Sequence, residues 1–177
     1  MMVRYANAVT HPTISMLKIR SAQENDVDAI FELIMGLAAY EKLTDSVTGS
    51  SDLLRSHLFG ARPYAESIVA ELDDRIVGYG LFFHTYSTFL TQPGLHLEDV
   101  FVHPEYRRQG IGKALMISVA KIAFERGCGR LEWSVLDWNQ PAIEFYQSLG
   151  ATILPDWKTC RMTAETLAEI ATKSKSD

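Results

Sequence analysis

The sequence predicts an α/β (α+β) fold, with helices flanking a mixed, twisted, mostly antiparallel sheet of about seven strands. Three observations carry this. The middle of the chain holds "SIVAEL", "RIVGYGLFFHTY" and "LHLEDVFV" with no helical run between them, so neighbouring strands there must pair antiparallel. Apolar residues recur at helical spacing both before this block and after it. Further strand-like runs follow the later helices, and returning to the same sheet across a helix requires some parallel pairing.

The elements follow in order. "MLKIR", Met16 to Arg20, reads as a strand; Val27, Ile30, Phe31, Ile34, Leu37 and Ala38 then trace one face of a helix with Asp26 as its N-cap. The polar "TDSVTGSSD" is a loop into a short helix over Leu53 to Phe59. Asp73-Asp74 suits a tight hairpin turn, and Pro93-Gly94 marks a loop before the next strand. Ile111, Leu115, Val119 and Ile122 give a long helix closed by Gly127 and Gly129, and "RLEWSVL" gives a strand. In "NQPAIEFYQSLGA", Asn139 caps a short helix with Pro141 in its first turn and Gly150 as its stop. Strands near Ala151 to Leu154 and Thr159 to Thr163 and a polar helix from Ala164 end the pattern.

With 177 residues, one hydrophobic core is expected. Lys and Arg total 17 against 22 Asp and Glu, a net charge of −5, so no bulk positive field draws a nucleic acid backbone. Cys128 and Cys160 lack metal-ligand spacing, and "MMVRYANAVTHPTIS" lacks the apolar segment of a secretory signal. No run is long and apolar enough for a membrane span. A cytoplasmic protein with reduced thiols is the expectation, with neither nucleic acid nor membrane as partner. His84, His96 and His103 show no paired spacing, so no metal is expected.

The most informative stretch is "VFVHPEYRRQGIGKAL", Val100 to Leu115. Gly110 and Gly112 stand where a turn enters a helix, and a helix N-terminus offers unpaired N–H groups and positive potential to phosphate oxygens. Arg107, Arg108 and Lys113 add cations around that turn. A tight turn with solvated arginines is the plainer alternative. The spacing excludes a P-loop, which needs a Ser or Thr after Lys113 where Ala114 stands, and a dinucleotide fingerprint, which needs a third glycine near Leu115.

Arg107-Arg108-Gln109-Gly110-Ile111-Gly112 instead resembles the acetyl-CoA-binding motif (Arg/Gln)-x-x-Gly-x-(Gly/Ala) of the GNAT superfamily of N-acetyltransferases. "IRSAQENDVDAI" is similar to that family's opening strand and helix, and "NQPAIEFYQSLGA" to its second signature. The resemblance runs from about Leu17 to Met162. "LAAYEKL", "LHLEDVFVHPEYRRQGIG" and "WNQPAIEFYQSLGA" look like the diamine and thialysine acetyltransferase branch. It implies a loose extension over 1–15, a single N-acetyltransferase domain over 16–172, a polar tail over 173–177, and acetyl-CoA bound at a splay between central strands. It also suggests a homodimer.

Acetyl transfer to an amine needs an anchored thioester, a proton acceptor, a donor to the oxyanion and an acid for the thiolate. Glu98 and Asp99 are consecutive, so a regular strand would send them to opposite faces, and a wet face would make both mere surface acids. The resemblance makes Glu98 the proton acceptor and Asp99 part of a cationic site. It also implies a β-bulge that frees the Val100 N–H for the thioester carbonyl, with Val100, Phe101 and Val102 alongside the pantetheine arm. Tyr146 becomes the acid for the thiolate, although on helical spacing alone it is a core aromatic; Asn139 and Ala142 fall near the cofactor. Tyr40 and Glu41 match the branch's "YE" and, with Trp157, would receive the far end of the amine. Ser87 and Thr88 stand where the branch has an acid, which leaves room for a lysine-like amino acid beside polyamines. Acetylation of proteins or peptides, and a non-catalytic acyl-CoA sensor, are the rival readings.

Overall fold

A computed structural model describes residues 16–173. The extension predicted over 1–15 and the tail from 174 onward lie outside the described residues. The described chain divides into two compact units after Ser134.

The first unit holds a five-stranded sheet in the order β1 (Leu17–Ser21), β2 (Glu66–Leu72), β3 (Arg75–Ser87), β4 (Gln92–Val102) and β5 (Leu131–Glu132). All neighbours are antiparallel except β4 and β5, which run parallel. The β2–β3 hairpin turns at Asp73 and Asp74, both left-handed with φ of 49° and 61°, as a two-residue turn matched to strand twist requires. β4 begins earlier than predicted and takes in Pro93 and Gly94, which pair with Tyr86 and Thr85. Pro93 lacks an N–H, and at that strand end Gly129 N–H instead reaches its carbonyl at 2.8 Å.

Helix α1 (Val27–Glu41) covers one face of the sheet. Its Ile30 and Leu33 pack with Val69, Tyr79 and Phe101 in a fully enclosed cluster, each aliphatic side chain stabilising the fold by about 2 kcal/mol. Asp26 does not cap α1 with its side chain. Its carboxylate is taken by Arg20 in two bonds of 2.6 and 3.0 Å and by the Gln23 N–H at 2.7 Å, so a charged partner outcompetes the orphan N–H groups of the helix. A short helix α2 (Ser51–Phe59), capped by Ser50, follows. Helix α3 (Ile111–Glu125) lies on the opposite face, where Leu115 and Val119 approach Gly78 and Gly80 of β3.

In the second unit, α4 (Gln140–Ser148) has the predicted cap, Asn139 Oδ1 accepting from the Ala142 N–H at 3.4 Å. Gly150, at φ 92°, ends it. Helix α5 (Ala164–Lys173) follows. Two predicted strands are absent: residues 151–163 carry no ladder, and "RLEWSVL" contributes only Leu131–Glu132, giving five strands rather than about seven. A strand needs a row of partner N–H and C=O groups, and its apolar residues need a surface to cover. Ile153, Leu154, Trp157 and Met162 are all exposed. The apolar pattern that suggests strands is real, but nothing among the described residues buries it.

Candidate active site

β5 pairs with β4 only at Leu95 and His96, and among the described residues no strand lies against that edge of β4 beyond them. The sheet is therefore open along the second half of β4. Within it, Leu81 faces Asp99 and the next residue of β3, Phe82, faces Leu97, so Glu98 is the extra residue of a β-bulge. The bulge re-aims the backbone. Leu95 N–H points toward β5, bonding Arg130 O at 3.1 Å, whereas His103 N–H points toward β3, bonding Val77 O at 2.9 Å. These residues are an even number apart and would share a direction in a regular strand. The reversal turns the N–H groups of Val100 and Val102 to the open edge. Consistently, the Val102 carbonyl accepts from Arg107 Nε at 3.0 Å rather than from the sheet.

The bulge also corrects the expectation that Glu98 and Asp99 face opposite sides. Both carboxylates act on the Tyr79 phenol, on the α1 face of the sheet, together with Glu41 from the end of α1. Asp99 is the more enclosed, and Tyr79 Oη donates to its Oδ2 at 3.2 Å. Burial, then the Glu98 and Glu41 charges, push the Asp99 carboxyl up to about 6, with the Tyr79 hydrogen bond opposing them. Burial likewise raises Glu41. Glu98 is more exposed, its Oε2 3.8 Å from His96 Nε2. Asp99 and Glu41, whose protons are held this way, favour a cation between them.

The turn from Arg107 to Gly110 leads into α3. Gly110 is the N-cap at φ 82°, where a side chain would be strained; no side chain caps the helix and its first turn carries no acid. The N–H groups of Ile111, Gly112 and Lys113 thus form an uncapped helix start, with Arg108, Gln109 and Lys113 exposed around it. Nothing lies within 4 Å of where a Gly110 Cβ would stand. These donors, charges and space fit the diphosphate of acetyl-CoA.

Arg107 departs from its companions. Its guanidinium carbon lies 4.8 Å from the Tyr40 ring centroid and 5.2 Å from that of Phe101, so it joins α1 to β4. Gly36 permits the close approach, since a Cβ there would stand 3.1 Å from the Phe101 ring. The first unit thus gathers Tyr40, Glu41, Glu98, Asp99, Val100, Phe101, Val102 and the turn residues Arg107 to Lys113. Asn139, Ala142 and Tyr146 stand together on and before α4 in the second unit; Tyr146 is buried, its ring centroid 5.4 Å from that of Phe145. Trp157 is 78% exposed on the segment that follows. Sequence reasoning missed Tyr79, although a tyrosine on the inner face of an apolar strand needs a partner for its hydroxyl.

Among the described residues no helix is long and apolar enough to cross a membrane. Nor does any group of His, Cys, Asp or Glu there have the arrangement to hold a metal ion.

Known proteins resemble this chain in sequence and in fold. A family model described as the acetyltransferase (GNAT) family matches residues 36–151. The thialysine N-epsilon-acetyltransferase of Bos taurus is 40% identical over 171 residues, covering 90% of this chain and 100% of that protein. The L-ornithine N5-acetyltransferase of Arabidopsis thaliana is 33% identical, covering 86% and 87%. Among solved structures, an integron cassette protein from the V. cholerae mobile metagenome superposes with a TM-score of 0.73 at 24% identity, covering 88% of this chain and 97% of its own. An aminoglycoside acetyltransferase from an uncultured soil sample, solved with sisomicin, gives 0.69 at 23% identity, covering 83% and 95%. With the family model matching more than half of the chain and a 40% identical relative covered over its full length, the chain belongs to the GNAT family of acetyltransferases.

Proposed function

We propose that this protein moves acetyl from acetyl-CoA directly to a primary amine of a small cationic substrate, and that a lysine-like amino acid fits better than a long polyamine. The observation that carries the reading is the convergence of Asp99, Glu98 and Glu41 around Tyr79 beside the open edge of β4. Ser87, where the polyamine-type pattern has an acid, commits its hydroxyl to the Leu90 N–H at 3.2 Å, which leaves that end of the hairpin uncharged. The relatives that act on thialysine and L-ornithine, as their names state, point the same way.

Acetyl-CoA supplies the acetyl group as a thioester. Arg108, Gln109, Lys113 and the N–H groups of Gly110, Ile111 and Gly112 hold its diphosphate, while the edge of Val100 to Val102 receives its arm; Asn139 and Ala142 complete that grip. The Val100 N–H donates to the carbonyl oxygen as charge grows on it. At pH 7 only about one amine in a thousand is neutral, so a carboxylate must take a proton; Glu98 does so, with Asp99, Tyr40, Glu41 and Trp157 holding the rest of the cation. Tyr146 returns a proton to the leaving thiolate, the phenol and thiol having pKa values within about two units. Transfer is direct, in an ordered ternary complex with no acetyl-enzyme and no metal. The protein works in the cytoplasm as a homodimer.

Thiol release from acetyl-CoA, measured with thialysine, L-ornithine, L-lysine, 1,4-diaminobutane, spermidine and a lysine peptide, tests this. Release with the amino acids above the polyamines is expected. Release only with the peptide would assign a protein substrate, and coenzyme A binding without release for any amine would leave a sensor.

A further inference from the structure

Behind the amine site, in the core, Tyr79 is fully enclosed on the central strand β3, and its ring belongs to the cluster of Ile30, Leu33, Val69 and Phe101. Phenylalanine would fill that space equally well, because every member of the cluster around it is apolar. The hydroxyl is a polar atom placed in an apolar core, which costs free energy unless it is bonded. Its partner is Asp99 Oδ2 at 3.2 Å. Asp99 sits across the strand pair just beyond the bulge, with Phe101 facing Tyr79 and Asp99 facing Leu81. The phenol therefore reaches diagonally from beneath, taking one carboxylate oxygen and leaving the other.

We propose that Tyr79 is a positioning residue for the acetyl transfer: by donating to Oδ2 it fixes the Asp99 carboxylate so that Oδ1 is presented to the substrate ammonium. The proposal rests on the amine-acetylating function given above. Without the phenol, no hydrogen bond from the described residues holds that oxygen of the short Asp side chain, and it stands among like charges. Among the described residues the groups facing it are Glu98 on its own strand, Glu41 from α1 and Tyr79 from β3, and of these only Tyr79 favours the ionised form. Removing the hydroxyl thus loosens the carboxylate and holds its proton to higher pH.

Tyr79→Phe tests this with thialysine and acetyl-CoA. The expected result is a raised KM for thialysine with kcat and the acetyl-CoA KM little changed, and an acidic limb of kcat/KM moved up by about one pH unit. A limb moving from about pH 6 to about pH 7 lowers kcat/KM at pH 6 by about fivefold and at pH 8.5 hardly at all. In an Asp99→Asn background the same change should do nothing further. Two readouts need no turnover: carboxyl carbon NMR should show Asp99 titrating higher in Tyr79→Phe, and in Asp99→Asn, with Tyr79 intact, the buried hydroxyl proton should exchange faster. A Tyr79→Phe enzyme that keeps the wild-type pH profile and titration overturns the proposal, as does an effect that persists undiminished in the Asp99→Asn background. If the wild-type protein acetylates no amine, the functional reading falls, while the NMR titration still decides whether Tyr79 governs Asp99.

Discussion

Asp99 is where single-residue energetics and function pull against each other. Its carboxyl is pushed up to about 6 by burial and by Glu98, against about 3.9 in an unfolded chain. Below about pH 4 both states keep the proton and the site costs nothing. Between about pH 4 and 6 the unfolded chain ionises first, and above about pH 6 the buried charge destabilises the fold by up to about 3 kcal/mol. Stability should therefore fall as pH rises through that window, and Asp99→Asn should remove the slope. Urea melts at pH 4.5 and 7.5 check this: the variant gains roughly 1–3 kcal/mol at pH 7.5 and little at pH 4.5. A wild-type-like slope in the variant would show that Asp99 is not the group responsible. Tyr146 raises a separate question, because Tyr146→Phe keeps the buried ring and removes the phenolic O–H proposed as the acid. Turnover should drop about ten- to a hundredfold with acetyl-CoA affinity nearly intact, and steady-state rates unchanged across pH would end its role as the acid.

At the scale of elements, the decisive feature is one residue too many in β4. Deleting Glu98 would remove the bulge and restore alternation through the strand, joining Leu97 opposite Phe82 to Asp99 opposite Leu81 and leaving the Val100 N–H at the open edge. Circular dichroism should still report a folded sheet, while thiol release falls by about a hundredfold or more, because the proposed proton acceptor leaves and the Val100 donor stays. Near-normal turnover would mean that Glu98 is not the proton acceptor. The motif Arg107 to Gly112 is legible in the sequence because glycine, charge and helix onset are local chemistry, and Asn139 is legible as a cap for the same reason. The bulge is not, since "LHLEDVFV" alternates acceptably in either register and only β3 counts its residues against another strand. Asp26 shows the opposite error: a cap by local rules, it is diverted by Arg20, one strand away in space.

The whole molecule leaves apolar surface unexplained along the described chain. The pattern calls for about seven strands and five form, and the apolar residues behind the two missing ones, Ile153, Leu154 and Met162, lie exposed with Trp157. On α5, Leu167 and Ile170 are also exposed, and three residues apart they share one helix face. Scattered exposed leucines are ordinary, but so many apolar side chains in one short unit are costly to leave in water, and a homodimer built through these residues would cover them. Sedimentation at micromolar concentration should then give about twice the chain mass. Leu167→Glu with Ile170→Glu should give the monomer mass, with the sheet intact by circular dichroism, because no residue of α5 is buried. A wild-type monomer would refute the dimer, and a dimer untouched by the paired glutamates would move its interface elsewhere. Because Tyr146 and Trp157 belong to the same unit as α5, the glutamate pair also asks whether assembly supports catalysis. If it does, thiol release per chain should rise with protein concentration through the same range in which the mass doubles.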